Sequence, residues 1–324
     1  MIARKPTDRR VAVLAIVMAI VMAFGAASCQ SNDALSDRYG GASTAKAEMT
    51  QILCEAKPGF AFVSGGNFMA GSDRTERNYA YRISAEGSAE SAAAVPNAEA
   101  RYRQQGWFDR EPERRAVNLP PFCMSKNLVT NVEYQAFVKA TGHPAPGISE
   151  AAYQAQGYLV HDYAAVKPYL WKGDQYPLGQ GQHPVVLVSY EDALAYVDWR
   201  SPHDGVTYQL PSALAWEKAA RGTDGRYFPW GSEWRNDGTN WANNGPDGTS
   251  AIATYPASRS LYGIEDMAGN VFEYTSTLAN KPKPEVILKG CGWDDYPGFC
   301  RAAYEHDRPV NSKHILFGFR LIME

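Results

Sequence analysis

KGCGWDDYPGFCRAAYEHDRPVNSKHILFGFR, running from Lys289 to Arg320, is the most informative stretch of this 324-residue chain. It opens on a Lys-Gly turn and closes on Gly-Phe-Arg. Cys291 and Cys300 stand in it with eight residues between them, Asp294 and Asp295 among those eight. Two cysteines this close together could remain thiols or form a disulfide that staples a loop. The compartment in which the chain folds decides between the two.

That compartment is legible at the amino terminus. Arg4, Lys5, Arg9 and Arg10 precede an unbroken apolar run from Val11 to Ala27. A positive segment followed by such a run reads as a secretory signal, although its length is near the lower limit for a membrane span. Ala26, Ala27 and Ser28 lead into Cys29, which resembles a bacterial lipobox with Ala26 where leucine is usual. The expectation is a lipid on Cys29, with simple cleavage or an uncleaved anchor as the alternatives. Gln30 after the cysteine implies retention at the outer membrane, and several acyl chains would anchor the protein stably. Export places Cys54, Cys123, Cys291 and Cys300 in an oxidising environment. Four cysteines permit three pairings. Cys54 precedes the first strand-like run and Cys123 ends the next, so Cys54–Cys123 and Cys291–Cys300 are the expected pairs.

Composition narrows the class. The chain is 45% hydrophobic and 21% charged, which is ordinary for a soluble globular protein. A formal net charge of −3 gives no argument for nucleic acid as a partner. Eight Trp, 19 Tyr, 28 Gly and 20 Pro point to a loop-rich body packed on aromatics.

Along the chain, residues 1–29 read as the signal segment and 30–53 as a flexible tether. One domain follows over 54–324, with an insertion at about 73–110 that could be loop or marginal helix. Pro58–Ser72 alternates apolar and small residues through a Gly-Gly turn and predicts a hairpin. Val117–Met124 predicts a strand. Thr130 and Glu133 form a capping box for a helix from Asn131 to about Ala140, with Val132, Tyr134, Phe137 and Val138 inward and Gly142 as the exit. Ser189 with Asp192 opens a second helix to Trp199, and a third begins at Pro211. His143–Gln182 reads as exposed loop, and from Tyr227 onward turns dominate.

Seven motifs then fall into a recognisable order: GGNFMAGS, KNLVTNVEYQAFVKATGH, PVVLVSYEDALAYVDW, YQLPSALAWEKAARG, RYFPWGSEW, GIEDMAGNVFEYTS and KGCGW…CRAA…GFRLI. Over about Gly59 to Met323 they resemble the formylglycine-generating enzyme (sulfatase-modifying factor) family. The resemblance implies an α+β, C-type-lectin-related single domain of low regular secondary-structure content. It also implies two structural calcium sites. Asn243 and Asp247 would bind by side chain and Asn244 and Thr249 by carbonyl at the first; Asp266 and Glu273 by side chain and Gly269 and Val271 by carbonyl at the second. Calcium takes six to eight hard oxygens from such loops; the alternative for each is a metal-free Asx-rich turn.

The departures from the family fall at its active site. Its copper-binding pair has four residues between the cysteines, Asp294 and Asp295 resemble the turn of members lacking that pair, and Tyr304 stands where the copper enzymes carry arginine. Copper is therefore not expected; if the protein were an oxidase, Cys291 and Cys300 would be the candidates. The histidines (His143, His161, His183, His203, His306, His314) show no close ligand pairing, and Glu305–Asp307 reads as a solvated turn. No GxSxG elbow is present. The expected role is a periplasmic, outer-membrane-anchored, non-catalytic module. It would bind an envelope protein or peptide, in the manner of relatives that accompany transmembrane kinases or type VI secretion. The alternative is a periplasmic oxidase or maturation enzyme of formylglycine-generating or siderophore-maturation type. Fold alone cannot choose, because function lives in the site.

Overall fold

The computed structural model describes residues 33–157 and 160–323, with side chains from residue 45. The apolar segment and Cys29 lie outside the described residues. Among the described residues no helix is long and apolar enough to cross a membrane. The chain divides into compact units at Lys46 and Ala47. Helix α1 (Asp33–Ala56) occupies what the sequence suggested was tether. Its last turns are rich in Ala, Glu, Lys and Met, which are good helix formers, and Cys54 bonds them to Cys123.

The predicted amino-terminal hairpin is instead half of a bent four-strand arrangement. Strand β1 (Phe60–Val63) and strand β2 (Gly66–Ala70) do not pair with each other. β2 pairs with β3 (Arg115–Leu119), and β1 pairs with β4 (Phe122–Ser125). Pro120 and Pro121 split the single strand expected over Val117–Met124, because neither can donate to a ladder. Gly65 lies against that break: a Cβ there would stand 2.9 Å from Pro121 Cδ.

Between β2 and β3 lies the presumed insertion. It is helical and integral to the body: α2 (Arg74–Ser88), capped by Asp73, and α3 (Val95–Gln105), ended by Gly106 at φ 65°. The capping boxes of Thr130–Glu133 and Ser189–Asp192 both form, opening α4 (Asn131–Thr141) and, further along, a helix from Tyr190. Gly142 makes the left-handed exit of α4. Tyr134, Phe137 and Val138 are buried as expected, but Val132 is 40% exposed. The segment read as exposed loop carries two short helices, α5 (Glu150–Ala155) and α6 (Tyr163–Val166), and buries Tyr153, Val166 and Tyr169. Helix α7 (Tyr190–Asp204) runs five residues beyond Trp199, and α8 (Ala213–Arg221) starts after a Ser212 cap, not at Pro211.

Two short strands, β5 (Tyr208–Gln209) and a final one at Ile322–Met323, join β1 and β4 in one sheet. A second four-stranded sheet holds β6 (Phe272–Leu278), β7 (Glu285–Lys289), β8 (His306–Pro309) and β9 (Phe317–Gly318), in the order β8-β7-β6-β9. The loop from Gly290 to Glu305 leaves and re-enters this sheet, so its two ends are fixed by neighbouring strands.

Candidate functional site

β7 carries Lys289 into the core, fully buried. Gly290, at φ 85°, turns the chain under Trp216, a conformation that glycine adopts at no steric cost. Cys291 follows, and its sulfur accepts the Gly269 amide at 3.0 Å. Cys291 and Cys300 are joined as a disulfide, their Cα atoms 4.8 Å apart, and neither is exposed. Between them Gly298 is pressed against α2. Its amide donates to Ser84 Oγ at 2.9 Å, and a Cβ there would stand 2.6 Å from the Ala80 carbonyl oxygen. Both expected pairings are therefore present, and the second closes the loop that would otherwise present two thiols.

The acidic pair inside the loop splits into two roles. Asp295 turns inward and accepts the Gly292 amide at 2.7 Å; burial, with Asp294 beside it, holds its carboxyl well above the usual range. Asp294 faces His161, Oδ2 to Nε2 at 2.8 Å. Its other oxygen is buried without a hydrogen-bond partner among the described residues, as is the indole nitrogen of Trp293, whose ring lies 5.0 Å from that of His161.

A relay of buried groups sets His161. The Leu316 amide donates to His314 Nδ1 at 3.3 Å, which leaves the proton on Nε2, facing the Tyr153 hydroxyl at 3.1 Å. Tyr153 in turn donates to the His161 carbonyl at 3.3 Å. Burial pushes His314 down to about 3, so the relay stays neutral. The His161–Asp294 pair can hold or pass a proton. Among the described residues no three His, Cys, Asp or Glu side chains gather to hold a metal.

Tyr304 is buried against Phe299 and Phe108 rather than offering a charge. Glu305–Asp307 is not a solvated turn. His306 begins β8 and stacks on Phe272 at 4.6 Å, with burial lowering its basicity. Glu305 stands 3.9 Å from Lys289.

The eight calcium candidates mostly carry other bonds. Asn243 donates to the Gly87 carbonyl at 2.5 Å and the Asn244 carbonyl accepts the Trp241 amide at 3.1 Å, while Thr249 meets His183 Nδ1 at 2.9 Å through its hydroxyl, which does not engage its carbonyl. Asp247 takes φ 51°. Glu273 is bidentate to Arg320, at 2.5 and 2.7 Å. Asp266 accepts the Ala253 amide at 2.9 Å, and burial pushes its carboxyl up to about 6. Gly269 gives its carbonyl to the Val271 amide at 3.0 Å. In the first loop the buried Asn240 Oδ1 has no hydrogen-bond partner among the described residues.

Residues 46–324 match the sulfatase-modifying factor enzyme 1-like domain family. The chain belongs to that family. The formylglycine-generating enzyme of Thermomonospora curvata is 33% identical over 51% of this chain and 63% of its own length. The inactive C-alpha-formylglycine-generating enzyme 2 of Mus musculus is 28% identical over 58% and 68%. Among solved structures, PvdO from Pseudomonas aeruginosa superposes with a TM-score of 0.59 at 22% identity, covering 84% of this chain and 96% of that one. The chain spans roughly half to two thirds of the length of the curated relatives it matches first.

Sequence reading missed His161, which lies 133 residues from Asp294. It also missed a buried ionic cluster behind the loop. Arg301, next to Cys300, bonds Glu111 and Glu76; Arg221 bonds Glu76 and Glu217; Lys289 reaches Glu217. No local pattern announces either, because every partner comes from a distant segment.

Proposed function

We propose that this protein is a non-catalytic binding and regulatory member of the family, anchored in the cell envelope through Cys29. Its partner is an envelope protein or peptide, such as a component of a transmembrane kinase or a type VI secretion machine. The observation that carries the reading is the buried Cys291–Cys300 disulfide. Sulfurs bonded to each other cannot supply the two thiolates a copper(I) ion would take. Relatives described as inactive formylglycine-generating enzymes support a member without that chemistry.

Calcium completes the proposal. At the second loop Asp266, Gly269, Val271 and Glu273 would hold it, with the Glu273 charge already balanced by Arg320. At the first, the unbonded Asn240 Oδ1 fits an ion better than Asn243 does, since Asn243 is turned to Gly87. Bound calcium would supply structural charge compensation to carboxylates such as Asp266.

The test is thiol titration of the full-length protein in denaturant without reductant. No reactive thiol at Cys54, Cys123, Cys291 or Cys300 is expected. Two reactive thiols at Cys291 and Cys300 that bind copper(I) would overturn the reading. A second reading, a maturation enzyme, draws on the His161–Asp294 pair; it would require a turnover that His161→Gln abolishes.

A further inference from the structure

On the other side of the Cys291–Cys300 loop lies a cleft of about 490 Å³. Tyr79, Arg82 and Glu86 from α2 form one wall, and Glu233, Trp234 and Trp241 the other. The two indoles stand at 90° with centroids 5.2 Å apart, Trp234 half-buried and Trp241 buried.

The indole, phenol and Asn243 donors of the cleft are already engaged. Trp234 Nε1 donates to Asn236 Oδ1 and Trp241 Nε1 to the Asn236 carbonyl. The Tyr79 hydroxyl receives the Trp234 amide at 2.7 Å and donates to Glu233 Oε2 at 3.2 Å. Asn243 is spent on Gly87. These donors are thus turned back into the protein. The carboxylates are less engaged: Glu233 accepts the Tyr79 hydroxyl but has no ion pair among the described residues, and Glu86 has only a loose one, 3.8 Å from Arg82 with both side chains more than half exposed. Arg82 places its guanidinium 5.0 Å from the Tyr79 ring centre. The cleft therefore already holds a cation of its own over an aromatic face, and it has one carboxylate in excess. An aromatic cleft whose carboxylates outnumber its own cation by one suits a further cation.

We propose that this cleft binds a lysine or arginine side chain of a partner polypeptide, with Arg82 as an internal occupant that the incoming cation displaces. This rests on the binding-module reading and names the chemistry of the partner.

The experiment follows tryptophan fluorescence of the full-length protein in detergent during titration with N-acetyl-Gly-Arg-Gly-amide, its lysine counterpart and its glutamine counterpart. The two cationic peptides are expected to bind, more weakly as salt rises, and the glutamine peptide is not. Glu86→Gln/Glu233→Gln, which changes only exposed side chains, should weaken binding about tenfold, a difference of about 1.4 kcal/mol. Arg82→Ala should tighten it by removing the competitor. Equal binding of the glutamine peptide, an unchanged double variant, weaker binding in Arg82→Ala, or binding of a chitooligosaccharide in place of the cations would each overturn the proposal. Failure of the peptides to bind with the disulfide intact leaves the thiol result standing, and free thiols at Cys291 and Cys300 would show in the thiol titration itself, so the two failures are distinguishable.

Discussion

Glu76→Gln is the sharpest test of how the body is held together. Glu76 sits fully buried on α2 and receives three guanidinium groups: Arg114 at 2.6 Å, Arg221 at 3.0 Å and Arg301 at 3.2 Å. With Asp73, Glu111, Glu217 and Glu305 it faces Arg114, Arg221, Arg301 and Lys289, five carboxylates against four cations, of which Asp73 lies on the exposed rim. Removing the Glu76 charge takes away the one carboxylate that Arg221 and Arg301 share, and both guanidiniums are inaccessible to water. Breaking a buried pair from one side costs about 3–5 kcal/mol. Arg221 keeps Glu217, Arg301 keeps Glu111, and glutamine still accepts one bond, so the lower end, about 3 kcal/mol, is expected. Glu113→Gln is the control. Its side chain is 79% exposed in its pair with Arg77, and its loss should cost below about 1 kcal/mol. Urea unfolding with disulfides intact reads both as midpoint shifts at unchanged slope. For a domain of this size the Glu76 variant should melt about 6–12 °C lower. If it matched Glu113→Gln within about 0.5 kcal/mol, the buried network would not be what fixes α2 to the body.

Gly298→Ala should cost about 1–3 kcal/mol, because its methyl would meet Ala80, Ser84 and Phe108; a neutral result would mean that α2 can retreat freely from the loop. His314 is held neutral down to about 3, whereas the unfolded chain takes up that proton near 6.5. This stability is therefore complete above pH 6.5 and is lost as pH falls toward 3, and His314→Gln should flatten that part of the acid limb. Asp266 has the opposite sign. Its carboxyl is raised to about 6, so its stability is complete below about 3.9 and is lost as pH rises through 6. Without calcium, Asp266→Asn should melt higher than the parent at pH 8; with millimolar calcium the parent should gain and the variant should not. A parent indifferent to both calcium and chelator would remove calcium from the proposal.

What the sequence revealed was chiefly local. Thr130–Glu133 and Ser189–Asp192 form their capping boxes within a single turn, so the residues needed to recognise them are adjacent. Pro211 misled by two positions because Ser212, beside it, makes the better cap. The hairpin expectation failed because a Gly-Gly turn states that the chain bends but not which strand it meets; Pro120 and Pro121 send β1 and β2 to different partners. Val132 fits the apolar stripe of α4 yet lies on its outer edge. The 73–110 segment was opaque for a physical reason. Glu76, and Glu111 just after the segment, look like solvated charges in an Ala- and Arg-rich stretch, and the buried partners that balance them include Arg221 and Arg301, 145 and 225 residues from Glu76. His161 was hidden in the same way, in a stretch whose buried tyrosines read as exposed loop.

The disulfide and the cleft are mechanically joined. The Cys291–Cys300 bond closes a ring that includes Pro297, and Pro297 stands where a Gly87 Cβ would touch it, 2.9 Å away, with the Trp241 ring at 3.2 Å. The same ring is held at one end by the Gly269 amide on Cys291 and in its middle by Ser84 on Gly298. A bond closing so short a loop contributes about 2–3 kcal/mol by restricting the unfolded chain, less than the longer Cys54–Cys123 closure provides. Its larger effect is to hold the floor of the cleft. Cys291→Ser/Cys300→Ser should therefore lose cationic-peptide affinity severalfold while the protein remains folded at 25 °C. Cys54→Ser/Cys123→Ser should lower the melting point at least as much and leave affinity unchanged in the folded fraction. If both variants lost affinity in proportion to stability, the cleft would be responding to global loosening and the loop would have no special part in shaping it.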